Sequence, residues 1–248
     1  MTRARLEHVF DSTYDRAMSL DFQASLFDVL DGELGDSGDS GAVEGGSGVR
    51  FGSLADEVRR HHLSAGAWVD VRPAWVTGAD DLFARLVRDV PWRAERRQMY
   101  DRVVDVPRLT RFYGEHDSWP DPTLAEARDV LSAHYAAELG EPFTSAGLCY
   151  YRDGQDSVAW HGDTGGRRGR GGCEDTIVAI LSLGQARRLS LRPRAGLAEG
   201  SSMSFQAGHG DLIVMGGSCQ RTWEHAVLKT ARPVGPRISV QFRPYDVR

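Results

Sequence analysis

The chain has 248 residues, 41% hydrophobic and 26% charged, with a formal net charge of −5, the make-up of a folded domain large enough to bury its own core. No run of 18 apolar residues occurs, which excludes a membrane-spanning helix. Three cysteines, Cys149, Cys173 and Cys219, lack any CxxC spacing and point to reduced thiols rather than a disulfide scaffold.

The charge is unevenly spread. Residues 1–50 hold ten acids against four arginines, so the rest of the chain is nearly neutral and lacks the excess expected of a strongly basic nucleic-acid binder. Lys229 is the only lysine; an arginine-rich chain remains suited to carboxylates and phosphates, which guanidinium grips bidentately. The N-terminus shows neither an uninterrupted apolar core nor a small-residue cleavage site, which predicts no secretory signal and a cytoplasmic, monomeric protein without membrane contact.

In chain order, residues 1–30 read as a short helical segment. Residues 31–49, with seven glycines and little to bury, read as a flexible linker. The body, 50–248, opens with helices. Asp80 ahead of Leu82, Phe83, Leu86, Val87 and Val90 predicts one helix, ended by Pro91. Thr123-Leu-Ala-Glu126 reads as a capping box for a second, with Gly140 at its C-terminal side. From residue 145 the pattern changes to short β-rich runs divided by glycine: SAGLCYY, SVAWHGD, DTIVAILSLG, RRLSLRP, SMSFQAG, DLIVMGG, TWEHAV and RISVQFRP. Eight such runs predict a mainly β (α+β) protein whose strands form a jelly roll of two four-stranded sheets, flanked by N-terminal helices.

Three residues in these runs carry metal chemistry. His161 and Asp163 stand two apart at a strand end and therefore face the same way, while His225 lies in a later strand. Two imidazoles and a carboxylate on one face of an ion leave open positions for ligands, the facial triad of non-haem Fe(II) oxygenases. Taken alone the spacing is weak, since a structural histidine meets it by chance. His209 and Asp211 repeat it, although glycines on both sides of His209 favour a turn. The final run adds weight: alternation puts Arg237, Ser239, Gln241 and Arg243 on one face and Ile238, Val240 and Phe242 on the other. Arginines inside a barrel are costly unless an anion pairs with them; the alternative is an amphipathic strand with one wet face. Six residues of straight strand span about 20 Å, so the two arginines do not grip one carboxylate unless the strand coils.

The segment YRDGQDSVAWHGD from Tyr151 to Asp163, with HGDLIVMGGSCQRTWEHAV and GPRISVQFRP, resembles the AlkB family of Fe(II)/2-oxoglutarate dioxygenases. The resemblance implies a double-stranded β-helix, with His161, Asp163 and His225 as iron ligands and catalytic centre, and 2-oxoglutarate and O₂ as cosubstrates. Arg237 matches the arginine that clasps the distal carboxylate of 2-oxoglutarate, Arg243 a second pocket arginine, and Tyr151 a hydrogen-bonding tyrosine. Cys149 stands where the family has asparagine, and a thiol is a weak donor; Ser239 joins this cofactor-binding set. The implied activity is oxidative demethylation of N-alkylated bases in DNA repair, releasing formaldehyde, succinate and CO₂. RNA, a protein or a small metabolite remain alternative substrates, and a non-catalytic jelly-roll binding module is the alternative of another class.

Residues 91–114 resemble the family's nucleotide-recognition lid, in which Met99 and Tyr100 would pack on a flipped base and Arg93, Arg96 and Arg97 would meet phosphates. The loop arginines Arg167, Arg168 and Arg170 are further phosphate candidates, with a solvated face as the plain alternative. Trp223 shares a face with His225 and either lines the substrate pocket or packs the core. The family's acidic residues just after His-x-Asp are replaced here by Thr164-Gly165-Gly166, with Glu174 or Asp175 as candidate substitutes. His61 and His62 read as surface residues.

Overall fold

The computed structural model describes residues 48–99, 102–163, 168–169, 172–173 and 175–244; the expected segment 1–30 and most of the linker lie outside them. The strands are β1 (Arg50–Phe51), β2 (Arg59–His62), β3 (Ala67–Arg72), β4 (Val76–Thr77), β5 (Arg93–Met99), β6 (Arg102–Tyr113), β7 (Ser145–Tyr151) and β8 (Val158–His161). They continue as β9 (Arg168–Gly169), β10 (Gly172–Cys173), β11 (Val178–Gly184), β12 (Arg187–Pro193), β13 (Met203–Ala207), β14 (Asp211–Gly217), β15 (Trp223–Val227) and β16 (Arg237–Arg243). The α-helices are α1 (Ala79–Asp89), α2 (Pro122–His134), α3 (Ala136–Leu139) and α4 (Cys219–Thr222).

All eight strands expected after residue 145 are present, and they divide four and four. A major sheet runs β2-β3-β14-β11-β16-β7-β6-β5, and a minor sheet runs β13-β12-β15-β8. The jelly roll is thus formed as expected, and its major sheet is extended by two strands at each edge. One extension, β5 paired with β6, is the segment read as a lid.

Alternation along the central strands explains why the major sheet is buried on both faces. Val178, Ile180, Ile213, Met215, Cys149 and Tyr151 join a cluster with Leu189, Leu191 and Trp223 of the minor sheet. The intervening residues Ala179, Leu181, Leu212, Val214, Leu148, Ile238, Val240 and Phe242 face the other way, into a cluster with Leu82 and Leu86 of α1 and Leu124 and Leu131 of α2. The helices therefore cover the outer face and leave the inter-sheet space for the site. Val49, expected to end the linker, is buried in the helix-side core: its apolar side chain belongs to the body. Among the described residues, no helix is long and apolar enough to cross a membrane.

The second helix starts earlier than expected. Its N-cap is Asp121, whose carboxylate accepts the Thr123 N–H at 2.9 Å, and not Thr123. Pro122 explains the shift, because its fixed φ and missing N–H suit the first helical position. Gly140 does end the helical region, at φ 67°, where a Cβ would be strained.

The buried Asp121 carboxylate also accepts from Arg85 Nε at 2.6 Å, tying α1 to α2. Burial pushes its pKa up, but the bonds from Arg85 and Thr123 outweigh that and hold it below the usual carboxylate range. Asp121→Ala should cost about 1–3 kcal/mol at neutral pH, from the lost cap and charge-assisted bond. The contribution of a group with a depressed pKa is present above its unfolded value, about 3.9, and lost as pH falls through the folded one. Denaturant titrations should therefore show the variant and parent converging below about pH 4; a constant difference down to lower pH would contradict this.

Candidate active site

Strand pairing builds the candidate metal-ligating cluster. His161, the last residue of β8, sits directly opposite His225 of β15, and the register slips just beyond His225. Asp163 follows two residues after His161 as the chain leaves the strand. One ligand atom from each of the three lies within 4.8 Å of the others, with His161 Nε2 and Asp163 Oδ1 3.8 Å apart. The imidazoles lie 4.2 Å apart between ring centroids.

The protonation pattern suits a cation. His161 Nδ1 lies 2.8 Å from the Ala159 carbonyl, which only accepts, so Nδ1–H donates to it and Nε2 is the nitrogen left for an ion. Burial, then the neighbouring His161, push His225 down to about 3, so its ring is neutral at physiological pH. Burial pushes Asp163 up, but Arg243, His225 and His161 outweigh it and hold the carboxyl below its ordinary value. Two imidazoles and one carboxylate fit a divalent iron ion by donor type. Of the thiols, Cys219 is buried in the inter-sheet core and pushed up to about 12, which leaves it without ligand character.

A second layer orients the carboxylate. Arg243 Nη2 donates to Asp163 Oδ2 at 3.0 Å, and the Asp163 N–H donates to Gln220 Oε1 at 3.1 Å. Gly162 is needed between the ligands, because a Cβ there would run into the Gln220 carbonyl and the Arg194 guanidinium. Gly147 has a similar role, since its Cβ would crowd Arg243 Nη1.

The expected cosubstrate residues line the inner face of the major sheet. Arg237 of β16 pairs in register with Tyr151 of β7, and Ser239 with Cys149. Arg237 is only 2% exposed; its Nε donates to Ser182 Oγ at 3.0 Å, while its Nη1 is buried without a partner. A buried guanidinium nitrogen left unpaired is costly, and a carboxylate would satisfy it bidentately. The ends of β16 serve different neighbours, as its length requires: Arg237 lies beside Tyr151, 5.3 Å from the ring centroid, and Arg243 beside Asp163. Gln241 bridges them, donating from Nε2 to Ser239 Oγ at 3.1 Å and to Cys149 Sγ at 3.6 Å, and accepting from Arg243.

Two arginines in this region escaped the sequence reading. Arg187 of β12, buried, donates to the carbonyls of Asp153, Asp156 and Leu228 and braces the turn between β7 and β8. Arg108 of β6 donates to Cys149 Sγ at 3.4 Å and to the Ser157 carbonyl at 3.1 Å. The available signal was alternation: Thr110 pairs with Cys149, so Arg108 shares its face.

The competing His209 and Asp211 build a turn instead. His209 Nδ1 accepts the Gly184 N–H at 2.7 Å, and the Asp211 carboxylate accepts from Ala74 and Gly208. His61 and His62 are exposed on β2, as expected. Trp223 is buried in the inter-sheet cluster, its indole donating to the Ser64 carbonyl, an arrangement that fits core packing. Asp175 pairs with Arg221 at 2.7 Å, and Arg93 and Arg96 are exposed on β5. Met99 and Arg168 lie on the backbone of β5 and β9; Tyr100, Arg167, Arg170 and Glu174 lie outside the described residues, as do the glycines after Thr164.

The profile of the 2OG-Fe(II) oxygenase superfamily matches residues 76–243. The alpha-ketoglutarate-dependent dioxygenase alkB homolog 3 of Bos taurus is 32% identical over 178 residues, 66% of this chain and 61% of its own. The DNA oxidative demethylase ALKBH2 of Arabidopsis thaliana is 28% identical over 196 residues, 65% of this chain and 60% of its own. The chain thus spans about 60% of the length of these curated relatives. The solved structure of OsALKBH1 aligns with a TM-score of 0.51 at 12% identity, covering 75% of this chain and 100% of that one, a likeness in fold. The AlkB resemblance is borne out by these matches.

The second layer predicts a graded response to mutation. Asp163→Ala should abolish tight Mn(II) or Fe(II) binding, and Gln220→Ala should weaken it about 10–100-fold, the usual effect of removing an outer partner. His209→Ala should leave it unchanged. Metal titration followed by Mn(II) paramagnetic resonance checks all three; loss of binding in His209→Ala would move the site.

Proposed function

Because the chain belongs to the 2OG-Fe(II) oxygenase superfamily, we propose that it is an Fe(II)/2-oxoglutarate-dependent dioxygenase that demethylates N-alkylated bases of nucleic acid, DNA foremost. The observation that carries the chemistry is the His161–Asp163–His225 cluster facing the inter-sheet space that also holds a buried, half-satisfied Arg237. Support for the substrate comes from the relatives, one an alkB homolog and one a DNA oxidative demethylase. A complete ligand set speaks against a non-catalytic binding module.

When bound, iron with 2-oxoglutarate and O₂ supplies the oxidation: one oxygen atom enters the alkyl C–H bond and the other ends in succinate as CO₂ leaves. The N-hydroxymethyl group then breaks at its C–N bond, the hydroxyl proton passing to the ring nitrogen as formaldehyde departs. The protein's share is positioning and exclusion of water. His161, Asp163 and His225 would hold the ion through three donors, which leaves room for cosubstrate and O₂. Arg243 occupies Asp163 Oδ2 and so leaves Oδ1 as the ligand oxygen. Arg237 neutralises the far carboxylate of the cosubstrate. Tyr151, held protonated by burial well above the ordinary phenol range, offers that carboxylate a hydroxyl donor. In this reading Met99 and Tyr100 pack on the flipped base, Trp223 backs the pocket, and Arg168 meets phosphate.

Formaldehyde release measured over N-methylated DNA, N-methylated RNA and free methylated nucleosides tests the proposal. Release from the polynucleotides, greatest with DNA, is expected; activity on nucleosides alone, or on none, would overturn it. Arg237→Lys should raise the 2-oxoglutarate KM by about tenfold or more, since lysine cannot reproduce the bidentate pair, while the nucleic-acid KM stays near that of the parent.

A further inference from the structure

Arg108 belongs neither to the His161–Asp163–His225 cluster nor to the partners of Arg237, yet it is drawn into the same region. It lies on the inner face of β6, in the segment read as a nucleotide lid, yet its guanidinium enters the other compartment. Its Nε hydrogen-bonds to Cys149 Sγ at 3.4 Å, a weak acceptor for so strong a donor. The other bond reaches the Ser157 carbonyl at 3.1 Å, and no carboxylate pairs with Arg108 among the described residues. Glu95, the acid next to it on β5, has an oxygen engaged by the Thr110 hydroxyl at 2.5 Å. Burial pulls Arg108 down, but Cys149 and Tyr151 beside it hold its pKa above the ordinary value, so it stays charged. Arg187, Arg237 and Arg108 thus surround Tyr151. Of the three, Arg187 has its nitrogens committed to backbone carbonyls. Arg237 and Arg108 are the two with donors to spare for a bound anion.

Resting on the 2-oxoglutarate reading above, we propose that Arg108 is a cosubstrate-binding residue. It supplies to a carboxylate of 2-oxoglutarate the donor that Cys149 lacks. The absent asparagine is thereby replaced from a neighbouring strand, across the Thr110–Cys149 register pair. Because Arg108 belongs to the β5–β6 hairpin, cosubstrate binding also fastens that hairpin to the core of the barrel. A chain of contacts then runs from the hairpin to the metal ligand: Arg108 to Cys149, Cys149 to Gln241, Gln241 to Arg243, and Arg243 to Asp163. The hairpin is thus held by the occupied pocket before nucleic acid arrives.

The test is calorimetric titration of 2-oxoglutarate into the Mn(II)-loaded full chain without O₂. Arg108→Gln should weaken binding about tenfold or more, as expected for loss of a charge-assisted bond. Arg108→Lys, which keeps charge and stem and guards against misfolding, should weaken it several-fold. Cys149→Asn should strengthen binding more in the Arg108→Gln background than in the parent, a non-additivity that a merely structural arginine would not produce. In hydrogen exchange, 2-oxoglutarate should protect β5 and β6 amides in the parent and much less in Arg108→Gln. Arg108→Gln binding within about twofold of the parent, with Arg237→Lys impaired, would overturn the proposal and leave Arg108 as a brace for Ser157. Absence of binding in the parent itself would overturn the 2-oxoglutarate reading, and this proposal with it.

Discussion

A guanidinium placed between two sheets loses its water, and Arg237, 2% exposed, has lost nearly all of it. Its compensation inside the protein is incomplete: Ser182 accepts from Nε, Tyr151 offers its ring and a side-chain hydrogen bond, and Nη1 has no acceptor. Burial pulls its pKa down, a sign of how poorly the protein alone solvates the charge. A fold retains such a group where a ligand completes its bonding, and a carboxylate has the matching planar geometry. The inner face of the major sheet is arranged around that requirement.

Register carries the constraint from one residue to the next. Pairing of β16 with β7 sets Arg237 against Tyr151 and Ser239 against Cys149. The same strand, six residues further on, delivers Arg243 to Asp163. Across the barrel, pairing of β15 with β8 sets His225 against His161. A slip of one residue in either pair would turn these side chains outward and bring apolar ones in. Ile238, Val240 and Phe242 guard against that slip, because their burial against α1 and α2 holds the alternation in phase. The helices thus bear on the site indirectly, by securing the outer face.

Much of this was readable from the sequence, because period-two alternation and glycine-divided runs report strands buried on one or both faces. All eight jelly-roll strands, the triad and the Arg237-to-Arg243 face came from that signal. The extension strands β2, β5 and β6 of the major sheet did not. The run RRHH of β2 is polar throughout, and its edge position is set by pairing with β3. Strands β5 and β6 were submerged in a family likeness to a lid, and Arg108 was lost with them. The start of α2 was misplaced because two capping signals overlapped, and proline decided between them. For His209 and Asp211, spacing alone carried the same message as for His161 and Asp163; only their bonds to Gly184, Ala74 and Gly208 distinguish them.

In the proposed function, the histidine–aspartate cluster and Arg237 together hold one metal–cosubstrate unit. Absorption spectroscopy of the chain with Fe(II) and 2-oxoglutarate in the absence of O₂ addresses it directly, because chelation of iron by a 2-oxo acid produces a weak visible charge-transfer band. The band is expected in the parent, with its loss in His161→Ala and a requirement for more 2-oxoglutarate in Arg237→Lys. A parent that binds Fe(II) yet shows no band at saturating 2-oxoglutarate would contradict that function.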